Sequence, residues 1–134
     1  PMFASGGISY VYLCYGIHHL FNVVVGEKNN PCAILVRGLE PVDGVDIMLK
    51  RRNLNSLKNE LTNGPGKLTQ ALGITTQINT ESLLGNKIWI EDYSIHIDKK
   101  DILSSPRIGV DYAKEDAKLP YRFYIKDNKW TSKL

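Results

Sequence analysis

The sequence predicts an α+β fold in a single domain, with a mainly antiparallel, curved β-sheet of open-barrel type and short inserted helices. Residues 8–14, 20–25 and 32–37 are aromatic or β-branched and are separated by short turn segments, which indicates a three-stranded antiparallel meander. Apolar and polar residues alternate again after residue 87, and this period of two is typical of strands. Helix start and stop signals lie between these two regions.

The length and charge of the chain set broad limits. With 134 residues it is one domain at most, and we treat residues 1–134 as that domain. Residues 1–7 lead almost at once into a strand of central character, so we expect the domain to be incomplete at its N-terminus. The net charge of +3 is compatible with a polyanionic partner without requiring one. No apolar run reaches the roughly 18 residues of a membrane span, so no membrane partner is expected.

The two cysteines, Cys14 and Cys32, both lie inside apolar runs. They predict buried free thiols in a reducing compartment, with a disulfide between them as the alternative. Cys14 lies too close to His18 and His19 for these three side chains to assemble a metal site, and we expect no metal.

Two helices are predicted between the strand-rich regions. Pro41 is a plausible helix start, and an approximate apolar face continues through Arg52, with a broken helical extension across residues 53–63. Residues 64–67 open a second helix over 68–72 that Gly73 ends. Beyond it, Thr80 is expected to cap one helical turn at residues 81–84. Strands are expected at residues 88–91, 95–98 and 122–126, with a loop at 105–110.

The first hairpin displays the most informative side chains. If residues 15–19 form its loop, antiparallel pairing sets Tyr12 opposite Asn22, and Tyr10 shares their face. Tyr15 then lies at the tip, where polar turn residues are usual. Strand tyrosines are commonly core or sheet-surface residues, but exposing a tip aromatic calls for a partner or ligand. Proteins that kink DNA insert such side chains as wedges between base steps.

Arg37 is the only charged residue in an otherwise apolar predicted strand. A buried guanidinium needs an acceptor, and the simplest interpretation is a structural salt bridge. The strand register decides whether Arg37 joins the Asn22 face. Pairing Gly26 with Cys32 points Arg37 away, so a bulge or a one-residue shift would be needed to bring the two together.

Several blocks together resemble the alkyladenine (3-methyladenine) DNA glycosylases. They occur in that family's order and cover the chain from end to end. The blocks are Met2-Phe3, residues 10–16 (YVYLCYG), Asn22, residues 35–41 (LVRGLEP), residues 64–72 (GPGKLTQAL), residues 107–110 (RIGV) and residues 122–124 (RFY).

The resemblance implies a monofunctional DNA glycosylase of base excision repair, which flips an alkylated or deaminated purine from duplex DNA and hydrolyses its N-glycosidic bond. It implies that Tyr15 intercalates, that Tyr12 stacks on the extruded base, and that Asn22 discriminates against guanine. Arg37 and the main-chain carbonyl of Ile108 would position the attacking water. The expected partners are double-stranded DNA containing a damaged purine and water as nucleophile. The protein is expected to be a monomer without a cofactor. An intracellular location is expected, in the cytoplasm or nucleoid of a bacterium or in the nucleus of a eukaryote.

The start of the second helix could hold a DNA phosphate through the free N–H groups at Gly66 and Lys67 and through the lysine charge. An ordinary Pro-Gly helix start explains the same residues, and the sequence does not separate these two interpretations.

One feature of the family is missing from the quoted blocks. The family's general base is a glutamate in a segment before the first block, accompanied by a tyrosine and a histidine. We therefore expect the chain to be a C-terminal portion that is inactive alone. Two alternatives remain: a non-catalytic nucleic-acid-binding module, and an unrelated β-rich protein that binds small molecules in an aromatic pocket.

Overall fold

The computed structural model describes residues 6–26, 32–107 and 119–132. Within these residues the chain forms mixed α and β structure with five strands and two α-helices. The elements are β1 (Ile8–Cys14), β2 (His18–Val25), β3 (Cys32–Leu35), α1 (Val45–Arg52), α2 (Pro65–Leu72), β4 (Ile102–Ser105) and β5 (Arg122–Ile125). Short 3-10 turns lie at Asn59–Leu61, Thr76–Ile78 and Lys99–Asp101.

The predicted antiparallel meander is confirmed. The strands form one sheet in the order β1-β2-β3, and each neighbouring pair is antiparallel. β4 and β5 pair with each other in a separate two-stranded sheet. In the part of the chain that is described, these two small sheets do not join into the curved, open-barrel sheet that the sequence predicted.

Two apolar clusters hold the described part of the chain together. Directly opposed residues of an antiparallel pair point to the same face, so Val11 on β1 and Phe21 on β2 pack together, and Ile74 and Leu83 cover them. The second cluster joins α1, the Asn59–Leu61 turn, α2 and Trp130 near the C-terminus. The hairpin and the C-terminal segment are therefore both anchored around α2.

The predicted helices are confirmed with changed starts. α1 begins at Val45 rather than at Pro41, because Gly44 adopts a left-handed backbone (φ 73°) that interrupts any earlier helix. It ends at Arg52 as predicted. α2 begins at Pro65, in the first helical position that favours proline, and ends where predicted. Gly73 (φ 70°) donates its N–H to the carbonyls of Thr69 and Gln70, which is the usual role of a C-terminal glycine.

The helical turn predicted at residues 81–84 is wrong. This segment instead runs along the outer edge of β1. The Ser9 N–H donates to the Glu81 carbonyl at 2.9 Å, and the Leu83 N–H donates to the Gly7 carbonyl at 2.8 Å. A strand edge with unpaired polar groups needs partners, and this tertiary requirement overrides a weak local capping signal.

The strands predicted at residues 88–91 and 95–98 are also wrong. Trp89 makes an isolated bridge to Leu84, and residues 91–98 are irregular. Of the apolar residues in this alternating pattern, Ile88 packs against the cluster that contains Val11, whereas Ile90 (57% exposed) and Ile95 (77% exposed) face solvent. The alternation of apolar and polar residues is typical of strands, but it does not show whether a neighbouring strand is available for pairing. The last strand is confirmed as β5, which ends one residue earlier than predicted, and β4 ends at Ser105 where the loop was expected.

Both cysteines are free thiols, as predicted, but neither is buried as predicted: Cys14 is half-buried and Cys32 is exposed. Among the described residues, no helix is long and apolar enough to cross a membrane.

Candidate nucleic-acid interface

The tip of the first hairpin is a tight turn at Tyr15 and Gly16. Both residues have positive φ (53° and 70°), and the Ile17 N–H donates to the Cys14 carbonyl at 3.2 Å. Two consecutive central residues with positive φ are the signature of a type I′ turn, which suits the twist of a β-hairpin. A tyrosine is uncommon in this conformation, which favours glycine or asparagine.

The Tyr15 side chain projects from this turn and is 93% exposed. Its neighbours Leu13 and Ile17 are also exposed apolar residues, so the hairpin presents an apolar tip to solvent. A large aromatic ring that is left uncovered on a backbone unfavourable for its residue type has no packing explanation among the described residues. Binding to a partner would account for both features.

The hairpin loop is shorter than predicted, which changes the expected pairing. The strands extend to Cys14 and His18, so Tyr12 pairs with Leu20 and Tyr10 pairs with Asn22. The predicted pairing of Tyr12 with Asn22 is therefore wrong by two residues. Because side chains alternate with a period of two, this shift still leaves both tyrosines on the Asn22 side of the sheet.

These residues form a partly aromatic wall behind the tip. The ring centroids of Tyr10 and Tyr12 lie 5.3 Å apart with planes tilted by 39°. Asn22 is buried and donates from Nδ2 to the Tyr10 carbonyl at 3.2 Å, whereas Tyr12 is 38% exposed. The wall therefore combines one accessible ring with an amide that a hydrogen bond holds in place.

The register of β3 brings Arg37 to the same side of the sheet. Cys32 pairs with Val25 rather than with Gly26, so Asn22 pairs with Leu35. The Val36 N–H donates to the Phe21 carbonyl at 3.0 Å and continues this pairing beyond β3. By alternation, Arg37 follows Leu35 on the Asn22 side. The one-residue shift that the sequence analysis required is present.

Among the described residues, Arg37 has no carboxylate partner for the structural salt bridge that the sequence suggested. Its Nε donates to Ser132 Oγ at 3.2 Å, and the ion pairs among the described residues involve other side chains. Burial, and next the nearby charge of Arg122, lower the pKa of Arg37 below its ordinary value. In the described ranges, this one bond leaves the two terminal nitrogens of Arg37 available as donors.

The start of α2 lies beside the base of the hairpin. A side chain on Gly66 would place its Cβ 2.8 Å from His18 Nδ1, and Thr69 Oγ1 donates to the His19 carbonyl at 2.7 Å. The first intrahelical bond is donated by the Leu68 N–H, so the N–H groups of Gly66 and Lys67 precede it. Lys67 Nζ reaches Asn63 Oδ1 at 3.2 Å on the exposed surface.

An open groove of about 480 Å³ is lined by residues of the hairpin, α1 and α2. Ile17, His18 and His19 line one side, and residues including Arg51 and Gln70 line the other. None of the described residues that line it is acidic, so this part of the lining does not repel an anion by charge.

Similarity to known proteins identifies the family. The sequence profile of the Methylpurine-DNA glycosylase family matches residues 1–129. The chain belongs to this family. Relatives named "Putative 3-methyladenine DNA glycosylase" support the assignment. The protein of Chlamydia felis (strain Fe/C-56) is 48% identical over 130 residues, which cover 96% of this chain and 66% of that protein. The protein of Clostridium botulinum (strain Alaska E43 / Type E3) is 46% identical over 141 residues, covering 99% and 68%.

This methylpurine-DNA glycosylase chain therefore spans about two thirds of the length of the relatives it matches (66%, 65% and 68%). The predicted water contact at Ile108 lies outside the described residues. Among those that are described, no three His, Cys, Asp or Glu side chains are grouped to hold a metal ion.

Ser132 and Arg122 at the Arg37 site were missed by the sequence analysis. The available signal was a second lone arginine, Arg122, at the start of an aromatic strand segment. Nothing in the sequence alone connects that residue with Arg37.

Proposed function

We propose that the complete protein is a DNA-3-methyladenine glycosylase of base excision repair. It flips an alkylated or deaminated purine out of duplex DNA and removes it by hydrolysis, leaving an abasic site. The single observation that carries this proposal is the exposed tyrosine on a positive-φ hairpin turn, directly beside the aromatic and amide wall. Family membership and the names of the relatives support it.

The wedge role belongs to Tyr15. Flipping a base costs a few kcal/mol and leaves a gap in the stack, which an inserted side chain can fill. The Tyr15 ring is uncovered, and the tight turn beneath it limits its backbone freedom. A rigid ring loses little conformational entropy when it inserts between base pairs.

Recognition of the flipped purine belongs to Tyr12 and Asn22. The accessible ring of Tyr12 offers a stacking surface, which is worth about 1–3 kcal/mol per base in other nucleic-acid complexes. Asn22 is buried and fixed by its bond to the Tyr10 carbonyl, so it cannot easily move aside for an extra exocyclic group. It therefore discriminates against guanine, which carries an amino group at its 2-position.

Hydrolysis requires a positioned water. Arg37 lies on the Asn22 side of the sheet, and among the described residues no acceptor occupies its two terminal nitrogens. These donors orient the water together with the main-chain carbonyl of Ile108. The N–H groups at Gly66 and Lys67, with the lysine charge, hold a DNA phosphate next to the hairpin. The groove without acidic residues accommodates that strand.

This chain by itself binds DNA without efficient hydrolysis. The described glutamates are engaged or exposed elsewhere: Glu81 pairs with Lys87 at 3.3 Å, Glu91 accepts a hydrogen bond from Trp89, and Glu40 and Glu60 are exposed. None of these four carboxylates is hydrogen-bonded or ion-paired to Arg37 or Asn22. The resemblance assigns the general base to a glutamate that precedes the first matching block. A missing general base lowers the rate by about 10²–10⁴-fold.

The test is single-turnover excision by the complete gene product on duplexes carrying one hypoxanthine, ethenoadenine or 3-methyladenine. We expect base release and alkali-sensitive abasic sites. If none of the lesions is released with enzyme in excess, while salt-sensitive duplex binding persists, the non-catalytic binding module is correct instead. Binding of free purines without DNA affinity would favour the small-molecule binder.

The wedge is tested in the 134-residue chain. Tyr15→Ala is expected to weaken binding to a lesion-containing duplex by about tenfold, the loss of one stacking contact. Tyr93→Ala is the matched control, because Tyr93 is also an exposed tyrosine (77%) but lies far along the chain from the hairpin. Equal effects of the two substitutions would rule out a wedge at Tyr15.

A further inference from the structure

Ser132 Oγ accepts hydrogen bonds from two arginine side chains. Arg37 donates to it from Nε and Arg122 donates to it from Nη2, each at 3.2 Å. Ser132 and Arg122 are buried. A hydroxyl oxygen accepts through two lone pairs, so these two donors use its acceptor capacity fully. We call Arg37, Ser132 and Arg122 the arginine cluster.

Arg122 anchors this cluster. Its Nη2 also donates to the Ser132 carbonyl at 2.9 Å, and its guanidinium lies over the Tyr124 ring at 4.8 Å from the centroid. Arg122 therefore holds both the backbone and the hydroxyl of Ser132. These hydrogen bonds link β5 to the C-terminal segment.

The backbone on either side of Arg37 is also fixed. The Val36 N–H bonds to β2, and the Leu39 N–H donates to the Thr62 carbonyl at 3.2 Å. Between them, Gly38 approaches the C-terminal segment so closely that a Cβ would lie 2.4 Å from the Trp130 carbonyl oxygen. With the backbone held, the direction of the Arg37 side chain is the remaining freedom, and the bond from Nε to Ser132 restricts it.

We propose that Ser132 and Arg122 are positioning residues for Arg37, which hold its guanidinium through Nε so that its terminal nitrogens face the reacting water. This inference rests on the proposed function. Neither residue touches the substrate; both act through Arg37. The adjacent charge of Arg122 adds to the positive potential around Arg37 and so favours a group that carries or develops negative charge there.

The test compares Ser132→Ala with wild type in the complete gene product, using single-turnover excision of hypoxanthine from duplex DNA. We expect the excision rate constant to fall about tenfold, as for loss of a hydrogen bond to a charged group, with duplex affinity within about twofold of wild type. Ser132→Thr keeps the hydroxyl and should restore most of the rate. Ser104→Ala, an exposed serine of β4, is the control and should leave the rate unchanged.

A double-mutant cycle separates positioning from a general structural role. In an Arg37→Ala background, Ser132→Ala should have no further effect on the rate constant, because its only route to the reaction has been removed. If the two effects multiply, the inference is overturned. If Ser132→Ala does not fold, Arg122→Lys carries the same test, since it keeps the charge but loses the Nη2 bonds to Ser132.

Different results would contradict the glycosylase function and the positioning role of Ser132 and Arg122. A wild-type protein without excision activity contradicts the proposed function and this inference with it. An active wild type whose Ser132→Ala variant retains full rate and affinity overturns the positioning role alone.

Discussion

The hairpin tip and the arginine cluster are built in opposite ways. Tyr15 is almost wholly exposed, sits on a positive-φ backbone and lacks packing partners among the described residues. Arg122 and Ser132 are buried, and several bonds hold the cluster together. An exposed, strained ring is available for insertion into a partner, whereas a buried, bonded guanidinium is held in one orientation. We therefore propose that the tip contributes to DNA affinity and that the cluster contributes to the chemistry.

The largest effect on the excision rate is expected when Arg37 is removed from the arginine cluster. Arg37→Ala removes the donors proposed to position water, and we expect the single-turnover excision rate constant to fall by about 10²-fold or more. Duplex affinity should change little. Lys126→Ala, at an exposed position, should leave both quantities unaltered. A loss of affinity without a loss of rate would place Arg37 in DNA binding instead.

The next largest effect is expected at Gly38, where the backbone beside the arginine cluster packs closely against the C-terminal segment. Gly38→Ala would force a Cβ to within 2.4 Å of the Trp130 carbonyl oxygen, so the backbone must shift. We expect the free energy of unfolding to fall by about 1–3 kcal/mol, as for other overpacked sites. Chemical denaturation measures it. Gly64→Ala is the control, because its nearest neighbour is the flexible Lys67 side chain at 3.3 Å. Equal losses for both variants would contradict a special close approach at Gly38.

At the hairpin tip, a smaller change is expected in two quantities: stability should rise and affinity for DNA should fall. Tyr15→Gly relieves the positive-φ strain, so the free energy of unfolding should rise by about 0.5–1 kcal/mol. The same change removes the wedge, so lesion-duplex affinity should fall about tenfold. Thermal melting and duplex titration on one protein preparation give both numbers. A variant that gains stability and keeps its affinity would show that the tyrosine serves neither packing nor DNA.

The smallest effect is expected at the start of α2. Lys67→Ala removes one proposed phosphate contact, so affinity should weaken for all duplexes alike. The slope of log affinity against log salt should decrease in magnitude by about one. Lys87→Ala is the control, since that lysine is occupied by Glu81 at 3.3 Å. An unchanged slope at Lys67 would leave this helix start as a structural element only.

The sequence predicted the hairpin better than the cluster, and the reason is physical. Strand identity and the placement of Tyr15 at the tip follow from local composition. The register was wrong by two residues because a tyrosine in the left-handed region carries no local turn signal of the kind that Asn-Gly provides. The alternating face was still predicted, since a shift of two preserves it.

The cluster depended on contacts that local patterns cannot show. Arg37 and Ser132 are 95 positions apart, and their bond depends on how the C-terminal segment packs beside Gly38. The same limit explains the misassigned segment after Thr80. Its role as an edge partner of β1 arises only in the folded chain. Apolar alternation over residues 88–98 likewise suggested strands without identifying a neighbour for them.

The most direct measurement is the dependence of excision on enzyme concentration under single-turnover conditions, for the complete gene product and its Tyr15→Ala and Arg37→Ala variants on a hypoxanthine duplex. It yields a maximal rate constant and a half-saturating concentration for each protein. We predict that Tyr15→Ala mainly raises the half-saturating concentration, while Arg37→Ala mainly lowers the maximal rate. If both variants changed the same quantity in the same proportion, or if the wild type released no base, this division between tip and cluster would be contradicted.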